Sequence, residues 1–310
     1  MAIQTFDTLI ARNRRNSFLL IFSFIAFFVG LGMLLGTAWG HGDRRFGLVV
    51  AGGAAGLAFI LTLMSYYGGT GAILTMSRAH EIRKSDDPQL YNVVEEMALA
   101  AGLPMPRVYL IADSAPNAFA TGRNPQHAVV AITTGLRDKL NRDELQGVIA
   151  HEMSHVRNSD IRFAMLMAVL VGLVVMLCDV FLRSFWYGRG RRRSSDRQGG
   201  GGAQVILLLI GLVLAIIAPI LARIIQMAMS RQREYLADAS GVELTRNPEG
   251  LARALEKIAA DPDVLEVANR ATAHLYIVHP IKKLEARAST IFDSHPPLQD
   301  RIARLRSLER

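Results

Sequence analysis

Cysteine is almost missing from these 310 residues. Cys178 stands alone, so an internal disulfide is excluded and nothing points to an oxidising compartment. Acidic side chains are also scarce, 27 against 35 Lys and Arg, which leaves a formal net charge of +8. A surplus of that kind suits nucleic acid or an anionic membrane surface. No module interleaving aromatic and basic residues is present, which argues against nucleic acid. Charge of either sign vanishes from residues 17–36 and again from 46–77, and basic residues flank these runs. Lipid head groups are therefore the expected partner. No internal repeat is visible.

What the chain has in quantity is apolar surface. The apolar share is 51% and the mean hydropathy +0.24, high for a soluble domain. Residues 17–36, preceded by Arg12, Arg14 and Arg15, match a bilayer core of about 30 Å as a helix. This run is too long for a signal-peptide core and lacks a clear cleavage site, so it reads as a retained anchor. Residues 46–67 form a second segment, 163–182 a third interrupted by Asp179, and 204–222 a fourth carrying Pro219. Arg12, Arg14 and Arg15 before the first pair, and Arg78, Arg83 and Lys84 after it, place both ends of that pair in the cytoplasm. The second pair conflicts with this rule. If it crosses fully, Arg189, Arg191, Arg192, Arg193 and Arg197 are left outside. Either that pair does not fully cross, or the first pair sets the topology.

Between and after the hairpins the composition is that of a soluble domain. Pro88 opens a stretch with helical apolar spacing that Gly102 closes. Strand-like pieces follow at 107–111, around 118–120, and at 128–133. Asn141, with Glu144 three residues later, reads as a capping box that starts another helix. The expected fold class is α+β and mostly helical, with four membrane segments and a soluble domain containing a small sheet. Its divisions are a membrane hairpin at 1–77, a first soluble part at 78–160, a second hairpin at 161–225 and a second soluble part at 226–310.

The helix begun at Asn141 carries His151, Glu152, Met153, Ser154 and His155. Residues four apart share a helical face, so the two imidazoles can meet one metal ion, zinc by its known preference. Glu152 then stands where its carboxylate can take a proton from a water held at the metal. Chance matches to this pattern number on the order of 0.01 in a chain of this composition. A catalytic zinc normally needs a third protein ligand. The extended metzincin pattern is missing, since Asn158 and Ile161 occupy its glycine and histidine positions. Asp160 is too near in sequence to reach the same ion and is read as a supporting carboxylate. Glu234 is the best candidate, with Asp238 one turn on to orient a histidine. A solvated acidic helix face explains the same spacing nearly as well. One geometric point favours the ligand: a helical hairpin returns to the side it left, so His155 and Glu234 can meet at the base of the second hairpin. From His155 to Phe163 is about 12 Å along a helix, which sets the metal close to the membrane surface.

These residues resemble the HtpX-type membrane zinc proteases, which are more distantly related to the CAAX prenyl proteases. The resemblance rests on the two N-terminal apolar segments, the run Pro116 to Gly122, the HEMSH helix with Asp160, the second apolar pair, Glu234 to Asp238, and His295 to Arg301. It implies an endopeptidase of the bacterial cytoplasmic membrane, its catalytic domain facing the cytoplasm, that removes misfolded or damaged membrane proteins under stress. It implies one zinc ion per chain on His151, His155 and Glu234, with Glu152 as catalytic base. His295 and Arg301 would donate to the oxyanion of the tetrahedral intermediate. Taken alone, His295 could equally cap a turn and Arg301 lie on a helix surface. Asn117 is expected to bind substrate backbone, and Ala128, Val129, Val130, Ala131 and Ile132 to offer a sheet edge to an extended peptide. The rival function class is a non-catalytic metal-binding membrane scaffold or chaperone. Glu152, which need not touch metal, favours the enzyme. A transporter lacks support, since its sites require broken, charged helices.

Overall fold

The first two apolar runs fold back on one another as a hairpin of long helices, α1 (Phe6–Trp39) and α2 (Arg44–Met76). The computed structural model describes residues 6–40, 42–174, 231–266, 272, 275–278 and 296–308. The hairpin closes tightly because glycines face each other across it. A Cβ on Gly36 would lie 2.8 Å from the Gly47 Cα, and one on Gly47 would lie 2.6 Å from Thr37 Cγ2. Small residues at such crossings let backbones approach. The outward faces are apolar and open, with Phe18 77%, Phe22 71% and Val49 71% exposed. Among the described residues these are the two helices long and apolar enough to cross a membrane.

The rest of the described chain is mostly helical around a small mixed sheet. Its strands are β1 (Ala79–Glu81), β2 (Arg107–Ile111), β3 (Ala118–Thr121) and β4 (Val129–Thr133), in the order β1-β2-β4-β3. β2 and β4 run parallel, and β1 and β3 pair antiparallel at the two flanks. Helix α3 (Pro88–Ala100) opens on an Asp87 cap with proline in its first turn, as the sequence predicts. The short α4 (Thr134–Lys139) follows β4 directly. Helix α5 (Arg142–Arg157) carries the expected capping box, Asn141 and Glu144 each accepting from the other's backbone N–H.

Helix α6 (Asp160–Leu166) leads through a turn of π-helix (Met167–Val171) and packs against both α1 and α2. The chain resumes in α7 (Arg231–Thr245) and α8 (Pro248–Ala260), and ends in α9 (Leu298–Ser307). Both faces of the sheet are covered. Val108, Ala118, Ala120, Val130 and Ile132 pack under α3, α5 and α8. Tyr109, Ile111, Phe119, Val129 and Ala131 join the cluster of Ile73, Leu74, Phe163 and Met165 on the hairpin side.

This arrangement revises one expectation. β4 is fully buried and hydrogen-bonded on both sides, and Ala128 just before it is buried with its carbonyl taken by Arg107 N–H, so Ala128, Val129, Val130, Ala131 and Ile132 cannot present a sheet edge. A continuous apolar run with no alternation is what an interior strand covered on both faces requires. The outer strand is β3. The third expected segment, 163–182, is described only as far as residue 174. The fourth, at 204–222, lies outside the described residues, as do the arginine-rich loop, Asp179 and His295.

Candidate metal centre

One turn of α5 and one turn of α7 face each other, and the candidate ligands sit between them. The Nε2 atoms of His151 and His155 are 3.3 Å apart, with their rings edge to face. Glu234 brings Oε2 to 3.7 Å from His151 Nε2 and Oε1 to 3.6 Å from His155 Nε2. Donors about 2.0–2.1 Å from one tetrahedral ion stand about 3.3–3.4 Å from each other. The triangle formed by these three groups, whose donor atoms all lie within 4.8 Å, fits a metal ion of that kind.

The far nitrogens explain why the near ones point inward. His151 Nδ1 lies 3.0 Å from Asp238 Oδ1, and His155 Nδ1 lies 3.0 Å from Asp160 Oδ2. A carboxylate accepts the Nδ1 proton in each case and leaves the Nε2 lone pair for a cation. Two such lone pairs 3.3 Å apart repel unless a proton or a metal lies between them. Asp160 reaches back because Ser159 takes a left-handed conformation, φ 58°, between α5 and α6. That sharp turn is what brings a residue only five positions away beside His155.

Each carboxylate is itself held. Asp238 receives both Arg301 Nε, at 2.9 Å on Oδ2, and a terminal Arg301 nitrogen, at 2.6 Å on Oδ1. The other terminal nitrogen donates to the Ile277 carbonyl at 3.1 Å. Arg301 is 0% exposed, and its guanidinium stands 3.6 Å from Glu234. The 3.4 Å approach of Arg301 to His151 Nδ1 is not a hydrogen bond, because both atoms donate to the same Asp238 oxygen. This geometry revises two expectations: Arg301 is no surface residue, and its donors are engaged in clamping Asp238 rather than open to an oxyanion. Asn117 is engaged as well, its amide donating to the Val278 carbonyl at 2.9 Å.

Glu152 is buried next to the ligand triangle, with the Ala120 backbone of β3 against it. Burial lifts its carboxyl to about 7, helped by the Glu234 charge and opposed by His155, the Ala120 N–H and Arg301. Burial would lower His155, yet the Asp160 hydrogen bond and the charges of Glu234, Asp160 and Glu152 outweigh it and lift it to about 9. Burial, with the Arg301 and His155 charges, holds His151 below its ordinary value despite Asp238. Burial would raise Asp238, but the Arg301 charge and the His151 and Arg301 hydrogen bonds prevail and keep it at about 2.

A helix bearing two histidines and a glutamate, facing a carboxylate from a second helix, is a metallopeptidase constellation. The model of peptidase family M48 matches residues 84–309, which takes in every group just described. The chain belongs to peptidase family M48. This M48 chain is 45% identical to a protease HtpX homolog of Caldanaerobacter subterraneus subsp. tengcongensis, over 99% of each protein. It is 44% identical to the protease HtpX homolog of Lactiplantibacillus plantarum, over 96% of this chain and 98% of that one. Among solved structures, Ste24p of S. mikatae aligns with a TM-score of 0.43 at 20% identity, over 79% of this chain and 58% of that one. The resemblance to HtpX-type proteases holds, and the M48 chain is a membrane protease of a metallopeptidase family.

The reading from sequence brought His151, Glu152, His155, Glu234, Asp238 and Asp160 to one place, and the fold does the same. It missed Arg233 and Asn13. Asn13 comes from the far end of the chain and is 1% exposed beside Asp160.

Proposed function

We propose that the chain is a zinc endopeptidase of the bacterial cytoplasmic membrane that hydrolyses misfolded or damaged membrane proteins. The observation that carries this is the ligand triangle, with each imidazole anchored by its own carboxylate and Glu152 alongside. Zinc bound by His151, His155 and Glu234, one ion per chain, would polarise the scissile carbonyl and acidify the attacking water. Glu152 takes the proton of that water on its carboxylate and returns it to the leaving amine. Burial lifts this carboxyl in the metal-free site and a bound cation would lower it again, which keeps it within the range where a general base and acid can both act. Burial excludes bulk water from the exchange.

The outer edge of β3 runs past Glu152 but is closed to an added strand, its Ala118 N–H donating to Asn117 Oδ1. Thr133 donates to the Asn117 carbonyl, so residue 117 faces β4, and Ala118 and Ala120 face outward. Ala120 presents its backbone beside Glu152, while Ile277 N–H occupies the Ala118 carbonyl at 2.9 Å. The organisation proposed is an anchor hairpin at 1–77, catalytic halves at 78–160 and 226–310, and a second membrane hairpin at 161–225. Arg12, Arg14 and Arg15 support a cytoplasmic catalytic domain.

The test is hydrolysis of a casein-like unstructured protein by purified wild type and Glu152→Gln, each with and without chelator. Wild type with zinc is expected to cleave, and the variant to bind zinc yet lose activity by about 10²–10⁴-fold. Equal hydrolysis by a zinc-loaded Glu152→Gln variant would remove the enzyme reading in favour of a metal-binding scaffold or chaperone.

A further inference from the structure

Asn13 lies on α1 one turn before the uncharged run that starts at residue 17, among Arg12, Arg14 and Arg15. A polar side chain there has the head-group region and water available. It is instead 1% exposed and fully bonded within the protein. Its amide nitrogen donates to Asp160 Oδ1 at 2.5 Å and to the Asn158 carbonyl at 2.9 Å. Its amide oxygen accepts from Arg233 at 3.2 Å. The Asn158 carbonyl is one of the end-of-helix acceptors that α5 cannot satisfy internally. Asp160 accepts the His155 Nδ1 proton, and Arg233 directly precedes Glu234. One amide from the membrane hairpin therefore touches the support of His155 on one side and the start of the Glu234 helix on the other.

We propose that Asn13 is a positioning residue for the metal centre, acting through Asp160 on His155, so that seating of the first membrane helix sets metal affinity. This rests on the reading of His151, His155 and Glu234 as the ligand set. The amide donor holds Asp160 Oδ1 so that Oδ2 stays aimed at His155 Nδ1. Arg233 stands 3.6 Å from the same Oδ1 and shares that task. Ser17, one turn further along α1, bonds among the described residues only back to the Asn13 carbonyl, at 2.9 Å. It reports on the helix without touching the site.

The experiment measures zinc affinity by competition with a fluorescent chelator. It uses the full chain in lipid nanodiscs, in a Glu152→Gln background that prevents self-cleavage. Thermal unfolding is recorded alongside. Removing a carboxylate that supports a ligand histidine costs about 10–100-fold in metal affinity, and Asp160→Ala should fall in that range. Asn13→Ala should lose about 3–10-fold, one step further out on the same chain of contacts. Added to Asp160→Ala, it should change affinity by less than about twofold, because the path is already cut. Ser17→Ala should leave affinity unchanged. Should Asn13→Ala prove unstable, Asn13→Asp serves instead. It keeps the size and the acceptor for Arg233 but turns an oxygen toward Asp160, and it should lose affinity comparably. Undiminished affinity in these Asn13 variants, full additivity with Asp160→Ala, or an equal loss from Ser17→Ala would each overturn the proposal. Glu234→Gln separates the two levels. If it retains parental affinity, the ligand set itself is wrong; if it loses zinc while Asn13 variants do not, only the coupling fails.

Discussion

Arg301→Met removes a buried guanidinium of about the same volume and leaves Asp238 without its main partner. The charge of Asp238 is then enclosed with only His151 Nδ1 to satisfy it. Breaking a buried pair from one side costs about 3–5 kcal/mol, mostly the desolvation of the charge left behind. An independent figure comes from proton linkage. The Asp238 carboxyl sits at about 2 against 3.8 for the free group, worth about 2–3 kcal/mol. A depressed carboxylate stabilises the fold above pH 3.8, and the contribution fades as pH falls from there through about 2. The two figures agree within their precision. For a domain of this size each kcal/mol shifts Tm by about 2–4 °C, so Arg301→Met should lower Tm by roughly 6–20 °C. Zinc affinity should fall with it, because His151 loses a fixed Nδ1 acceptor. Scanning fluorimetry in detergent and chelator competition read both. An oxyanion role predicts the opposite pattern: stability and zinc affinity intact, with kcat down about 10²–10³-fold. That outcome would refute the clamp and restore the role the family resemblance suggested.

Other outcomes follow from the same geometry. His155 is protonated up to about pH 9 in the metal-free protein, so zinc uptake at pH 7.5 should release about one proton. Calorimetry in buffers of different ionisation enthalpy should detect it, with apparent affinity rising as pH climbs toward 9 and flattening above. A zinc cation pulls Glu152 down from about 7, so the acid limb of kcat/KM should lie below pH 7 and activity should fall as pH drops through it. Ala120→Pro removes the N–H that faces Glu152 and should cut kcat/KM at unchanged zinc affinity, measured on the unstructured substrate. Gly47→Val places a side chain 2.6 Å from Thr37 Cγ2 and should cost about 1–3 kcal/mol in the hairpin, seen as a lowered Tm.

The metal helix was legible because its information is local. The His151 and His155 spacing, Glu152 between them and the Asn141 cap all follow from the helix period. So were α3 and the approximate strand positions. The role of β4 was legible too, since its unbroken apolar run signals burial on both faces, but expecting a substrate edge there ignored that signal. Glu234 required a long-range argument about where a hairpin returns. Arg301 defeated the pattern, since a charged residue on a terminal helix reads as solvated until Asp238 is seen opposite it. Asn13 left no trace at all. A lone amide between arginines ahead of an apolar run looks like membrane flank, and only the tertiary fold gives it partners.

The sheet's second face has a practical corollary for anyone who wishes to simplify this protease. Tyr109, Ile111, Phe119, Val129 and Ala131 are hidden by residues of α2 and α6 and by Tyr276, whose ring stands edge to face with Phe119. A fragment cut free after residue 77 would keep α6 and Tyr276 but lose Ile73 and Leu74, uncovering part of that apolar face at roughly 25 cal/mol for every Å² exposed. Such a fragment should be less stable and less soluble than the whole chain, which sedimentation of the cleaved protein would show. Soluble expression would call for redesigning that face, not for a better choice of where to cut.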